Sequence, residues 1–194
     1  FKRFFLVEVA VAEAEAALEQ SLALRRGPAA LVRKLMFLLL VRHDLNAAAA
    51  LVESLPGSYA HREDVVEWAT LTWLWRGDYE RVLRTLTVWN HEMVSGVPTG
   101  YHVGWALQLL QRPEAARVAW REALNTVDRE IAAATMEPVR AGLRLWKANL
   151  QALMGDLKAA EDTLLVYQQM AVVAQGPRWA ATLVSLGRHE PALD

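Results

Sequence analysis

Apolar residues recur at steps of three and four along most of the chain, and short clusters of Gly, Pro, Asp and Arg separate the runs that carry this period. The stretches "VVEWATLTWLWR" (65–76), "YHVGWALQLLQ" (101–111) and "AGLRLWKANLQALM" (141–154) each predict one helix. Each is followed by a tight turn and a second helical run, in "GDYERVLRTL", "RPEAARVAWREAL" and "GDLKAAEDTLLVY". No segment alternates in period two for long enough to suggest a sheet. The pattern predicts an all-α chain built from helix pairs.

The residue that opens each second helix serves as a marker: Asp44, Asp78, Arg112, Asp156 and Arg188, at intervals of 34, 34, 44 and 32 residues. Four residues after the markers stand Ala48, Val82, Ala116, Ala160 and Ala192, whose small side chains let paired helices approach to about 8–10 Å. Eight after them come the larger Val52, Leu86, Trp120 and Leu164 on the same stripe. Five before are Leu39, Trp73, Leu107, Gln151 and Leu183, mostly apolar; eight before are Met36, Thr70, Gly104, Ala148 and Ala180, mostly small. Gly77, Gly155 and Gly187 precede their markers where a helix end favours positive φ. Asp44, Asp78 and Asp156 are N-cap candidates, a structural task worth about 1 kcal/mol each.

On these residues the chain resembles the tetratricopeptide repeat family, whose period is about 34 residues. The resemblance implies a right-handed α-α superhelix of antiparallel helix pairs. It covers residues 1–194 as a single solenoid of about four full repeats with partial repeats at both ends. The leading "EAEAALEQSLALRRGP" resembles the second helix of an earlier repeat, closed at Pro28. Met36 and Thr70 stand where the family usually has Gly, Val82 where it usually has Ala, and Lys147 and Gln151 are polar where it is normally apolar. The long interval holds roughly ten extra residues in "LNTVDREIAAATMEP" (124–138), which predict a third second-helix lengthened by about 15 Å and projecting past the stack. That long helix, with the "GDLKAAEDTL" unit and the closing "LGRHEPALD", also resembles the C-terminal arrays of bacterial multi-domain signalling proteins.

In the family the first helix of each repeat lines the concave surface. The resemblance carries this role to Arg33, Phe37, Glu67, Leu71, Tyr101, Trp105, Gln108 and Asn149, an aromatic and amide-bearing groove able to hold a peptide. Some members clamp a terminal carboxylate with several cations and amides. Here only Arg33 and Asn149 are of that type and Glu67 has the opposite sign, so mixed apolar and hydrogen-bonded recognition is expected instead.

Composition narrows the function classes. With 54% hydrophobic and 22% charged residues, the chain reads as folded, and a formal net charge of −1 gives no field to draw a polyanion, so no nucleic-acid partner is expected. The absence of cysteine removes disulfides and thiolate chemistry and fits a cytoplasmic setting. The longest apolar run, "LMFLLLV" (35–41), is far short of the roughly 20 residues that cross a bilayer, so no membrane insertion is expected. The start at Phe1 and the close on "SLGRHEPALD" suggest a fragment of a longer chain, whose apolar edges would favour self-association.

Catalytic chemistry finds little support. Of His43, His61, His91, His102 and His189, no two are three or four residues apart, so no metal site is expected; no catalytic residue or cofactor is assigned either. "SGVPTGYHVG" (95–104) lacks a phosphate loop's glycine order and reads as an inter-repeat loop broken by Pro98. The carboxylates Glu8 and Glu13, Glu63 and Asp64, and Glu161 and Asp162 read as solvated charge. Among eight tryptophans, Trp73 and Trp120 fall on repeat core positions and Trp89, Trp146 and Trp179 among apolar neighbours. Trp68, Trp75 and Trp105 are less easily placed in a core. The leading expectation is therefore a non-catalytic module binding a protein or peptide partner. The alternative is a regulatory sensor array binding a small ligand or its own output domain.

Overall fold

A computed structural model describes residues 2–24 and 27–169, with side chains from residue 9 onward. The expected marker Arg188 and its neighbours Ala180, Leu183, Gly187 and Ala192, together with Trp179 and His189, lie outside the described residues. The described chain is almost entirely helical and divides into two compact units, Phe1–Asn90 and His91–Asp194.

The first unit holds α1 (Lys2–Leu24), α2 (Pro28–Leu40), α3 (Leu45–Glu53), a 3₁₀ helix (Gly57–His61), α4 (Glu63–Arg76) and α5 (Tyr79–Trp89). Pro28 opens α2 rather than closing α1, because at the first helical position its missing N–H leaves no bond unmade. α2, α3 and α4 each pack on the next helix in sequence, and α2 also packs on α4. Leu35, Leu38, Leu39 and Ala48 form a core cluster on which Trp68 rests.

The second unit starts with a hairpin that the sequence did not predict: β1 (Met93–Val94) against β2 (Val97–Pro98), antiparallel, pairing Met93 with Pro98 and Val94 with Val97. Its two-residue loop, Ser95 at φ 48° and Gly96 at φ 73°, matches the twist of the flanking strands. There follow α6 (Thr99–Leu109), α7 (Pro113–Ala133), α8 (Glu137–Leu153) and α9 (Leu157–Gln168), each packed on the next. The core runs through Ala116, Trp120, Ala123 and Val127 of α7 and Leu143, Trp146 and Leu150 of α8. The extra residues of the long interval do extend α7, but the extension is not a free projection. Val127 is fully buried, and Ile131 and Ala134 pack against the same cluster.

The turns inside the helix pairs recur closely. The residue before each marker takes the left-handed conformation, in His43 (φ 52°), Gly77 (80°), Gln111 (59°) and Gly155 (85°), so two of the four turns manage it without glycine. The side chains of Asp44, Asp78 and Asp156 accept from the backbone N–H of Ala47, Arg81 and Ala159, closing the N-termini of α3, α5 and α9. The N–H groups of Asp78, Arg112 and Asp156 donate to carbonyls five residues back, at Trp73, Leu107 and Gln151. That of Asp44 reaches six back, to Leu38.

This one extra residue corrects the expected frame of α2. Thr70 and Ala148 at eight before the marker are fully buried and Gly104 is buried, whereas Met36 is 36% exposed and Leu35, one residue earlier, is 0% exposed. Phe37, expected on an open surface, moves inside for the same reason. Its counterparts after the one-residue shift are Thr72, Ala106 and Leu150, all buried. The four residues after the markers, Ala48, Val82, Ala116 and Ala160, are each fully buried, as their size predicts.

Candidate functional site

The eight residues assigned to a groove fall on α2 and α4 of the first unit and on α6 and α8 of the second. In the first unit Arg33 is exposed and its Nε donates to the Ala29 carbonyl at 3.1 Å, while Glu67 and Leu71 are half-buried. Phe37 is only 8% exposed, with the Lys34 ammonium 5.7 Å from its ring, so it presents little surface to a ligand.

In the second unit Tyr101 and Trp105 stand one turn apart on α6 and form an aromatic ledge. The Tyr101 ring meets Trp146 edge-on at 4.8 Å and His102 at 5.4 Å; Trp105 meets Trp120 edge-on at 5.9 Å. Trp120 reaches this position because residue 104 is glycine: a Cβ there would lie 2.1 Å from the indole nitrogen. The same nitrogen donates to the Tyr101 carbonyl at 3.4 Å. Burial raises the Tyr101 phenol above its ordinary range and lowers His102 to about 4, so that histidine is neutral near pH 7.

Gln108 is exposed and continues the outer face of α6. Asn149 is not at the surface. It is 5% exposed, and its Oδ1 is sealed from solvent without a hydrogen-bond donor among the described residues. Arg33 and Asn149, the two clamp-type residues, thus belong to different units, and one of them is interior.

Beside the expected Leu71, Trp75 and Trp105, the first helices of the pairs carry three further apolar residues at the surface, Met36, Leu40 and Leu109. After the frame correction, α2 carries the exposed Met36 and Leu40, α4 the half-buried Leu71 and exposed Trp75, and α6 the half-buried Trp105 and exposed Leu109, each pair four residues apart. Leu40, Trp75 and Leu109 are each close to half exposed. The signal was present in the sequence as a four-residue step of large apolar side chains, continuing past the positions that the core uses. The corresponding Asn149 and Leu153 of α8 are buried and half-buried.

A cleft of about 750 Å³ in the first unit is lined by residues of α1, α2, α3 and the 3₁₀ helix, including Glu15, Glu19, Lys34, Arg42 and Tyr59. Lys34 pairs with Glu19 at 2.6 Å and Glu15 at 3.5 Å, and Arg42 lies 3.8 Å from Glu15, so its charges largely satisfy one another. Among the described residues, no three of His, Cys, Asp and Glu come together as metal ligands, and no helix is long and apolar enough to cross a membrane. Comparison with known protein families, curated proteins and solved structures finds no match to this chain.

Proposed function

We propose that the chain is a tetratricopeptide-like right-handed solenoid acting as a non-catalytic interaction module. The first helices α2, α4 and α6 each present apolar or aromatic side chains to a peptide or partner domain. The observation that carries this reading is the four-residue apolar step repeated on successive first helices, Met36 with Leu40, Leu71 with Trp75, and Trp105 with Leu109, in which the second member of each pair is exposed. Solvent-facing Trp and Leu at such a step suit a partner with an apolar stripe of its own, and exposed Arg33 and Gln108 supply polar contacts beside it. A rigid helical face adds little ordering cost of its own on binding.

A random peptide display library selected on the folded protein tests the reading. Enriched peptides should share apolar or aromatic anchors and bind at least about tenfold more weakly to Trp75→Ser or Trp105→Ser, while Glu161→Gln binds as the parent does. Failure to enrich any peptide, or peptides indifferent to both tryptophan variants, overturns the proposal.

A further inference from the structure

A second cavity in the first unit has a different character from the charged cleft. It is a half-open pocket of about 270 Å³ beside the 3₁₀ helix, and its lining is aliphatic apart from Arg84 and Thr85. The floor is the buried face of α4, Val65, Val66 and Ala69, each at most 5% exposed. Val52 and Leu55 line it beside α3, and Ala60 lines it from the 3₁₀ helix. These residues are needed for packing only up to the surface they share, and the cavity is the part they leave unfilled.

Arg84 gives the cavity a polarity. The neighbouring cation on α5, Arg81, is engaged with Glu53 and with Asp78 at 3.0 Å and lies 4.6 Å over the Trp73 ring. Arg84 makes no ion pair or hydrogen bond among the described residues, and it lines the pocket beside Thr85 with its side chain exposed to solvent. An aliphatic pocket with one unpaired arginine and one threonine among its lining residues matches a molecule with an apolar body and a single carboxylate. The pocket repels the carboxylate, the guanidinium attracts it, and a planar fork suits its two oxygens. At about 30 Å³ per water-sized volume the space takes roughly nine non-hydrogen atoms, which sets the length of the chain.

We propose that this cavity binds a small apolar monocarboxylate, an aliphatic acid of about six to eight carbons, with its chain against Val65, Val66 and Ala69 and its carboxylate on Arg84. The site is separate from the faces assigned to a peptide, so either proposal stands if the other falls.

Titration calorimetry and amide NMR with octanoate, against 1-octanol and octylamine, form the test. Octanoate should bind about five- to tenfold more tightly than octanol, octylamine should bind weakest, and the perturbed amides should include Ala60, Ala69 and Thr85. Arg84→Gln, at an exposed position, should erase the preference for octanoate over octanol without changing the circular-dichroism spectrum. Ala60→Leu, which fills the chamber from its half-exposed wall, should weaken both ligands, and Trp75→Ser and Trp105→Ser should leave octanoate binding unchanged. The assignment is overturned by no octanoate binding at millimolar concentration, by equal affinity for octanoate and octanol, by an Arg84→Gln variant that keeps the preference, by an Ala60→Leu variant with parent affinities, by loss of octanoate binding in either tryptophan variant, or by shifts confined to other residues.

Discussion

The pair α4 and α5 of the first unit and the pair α6 and α7 of the second use the same turn but fill their interiors from opposite helices. In the first pair Trp73 of α4, at five before the marker, is buried, and the second helix contributes Val82, Leu86 and, in its last turn, Trp89. In the second pair the tryptophan is Trp120 of α7, at eight after the marker, and the first helix withdraws to Gly104, on which the indole lies. Thr70 holds the place that Gly104 holds, fully buried, its hydroxyl without a partner among the described residues. A helix pair therefore fixes the volume between its members more strictly than the identity of the residue at any one position. A large side chain on one helix and a small one opposite can be exchanged across the interface.

The largest expected effects come from removing the two tryptophans. Trp73→Ala and Trp120→Ala should each cost about 3–5 kcal/mol in urea unfolding, each acting first on its own unit. A near-neutral result for either would break the comparison, since that ring would then not be filling the interface.

Acidification should separate the units next. His102 is buried in the second unit with its pKa lowered to about 4, whereas His43 and His61 of the first unit are exposed. Between the unfolded value near 6.5 and about 4, the unfolded chain binds a proton that the folded one does not, so stability falls as pH drops through that window. The loss should approach about 3 kcal/mol by pH 4 and be absent above pH 7. Unfolding curves from pH 7.5 to 4 should show this slope in the parent and a shallower one in His102→Gln.

Smaller effects probe the exchange of volumes directly. Gly104→Ala should destabilise by about 1–3 kcal/mol, because the new methyl must displace the rigid Trp120 indole. Thr70→Val, at the corresponding position of the other pair, should instead stabilise by about 1 kcal/mol, because it keeps the shape and removes a buried hydroxyl that has no partner. Thermal melts of the two variants should move in opposite directions; movement in the same direction would end the analogy between the two sites.

What could be read in advance follows the range of the forces involved. The caps at Asp44, Asp78 and Asp156, the left-handed Gly77 and Gly155, and the small residues after the markers depend on a few adjacent residues, and all are visible in sequence. The frame of α2 was not, because the extra residue lies in a turn where His43 takes the left-handed conformation that glycine would have announced. The hairpin at 93–98 is too short to show period-two alternation, and its strands are held by packing of Met93 and Val97 on a core made elsewhere. Asn149 illustrates the same limit for the candidate site. A polar residue on a first helix reads as a surface group, and only the packing around α8 reveals that its amide oxygen is enclosed.

The length of α7 bears on how the second unit comes apart. Its 21 residues pack on α6, α8 and β2, and its buried side chains join the cluster shared with α8. No middle segment of α7 can open without dissolving several interfaces at once. Amide protons between residues 116 and 127 should therefore exchange with solvent only when the whole unit unfolds, at one common and slowest rate. The nine-residue α3, with only Ala48 and Ala49 buried, should exchange through local opening long before. The extra residues of the long interval, through Val127 and Ile131, enlarge the cluster that ties α7 to α8.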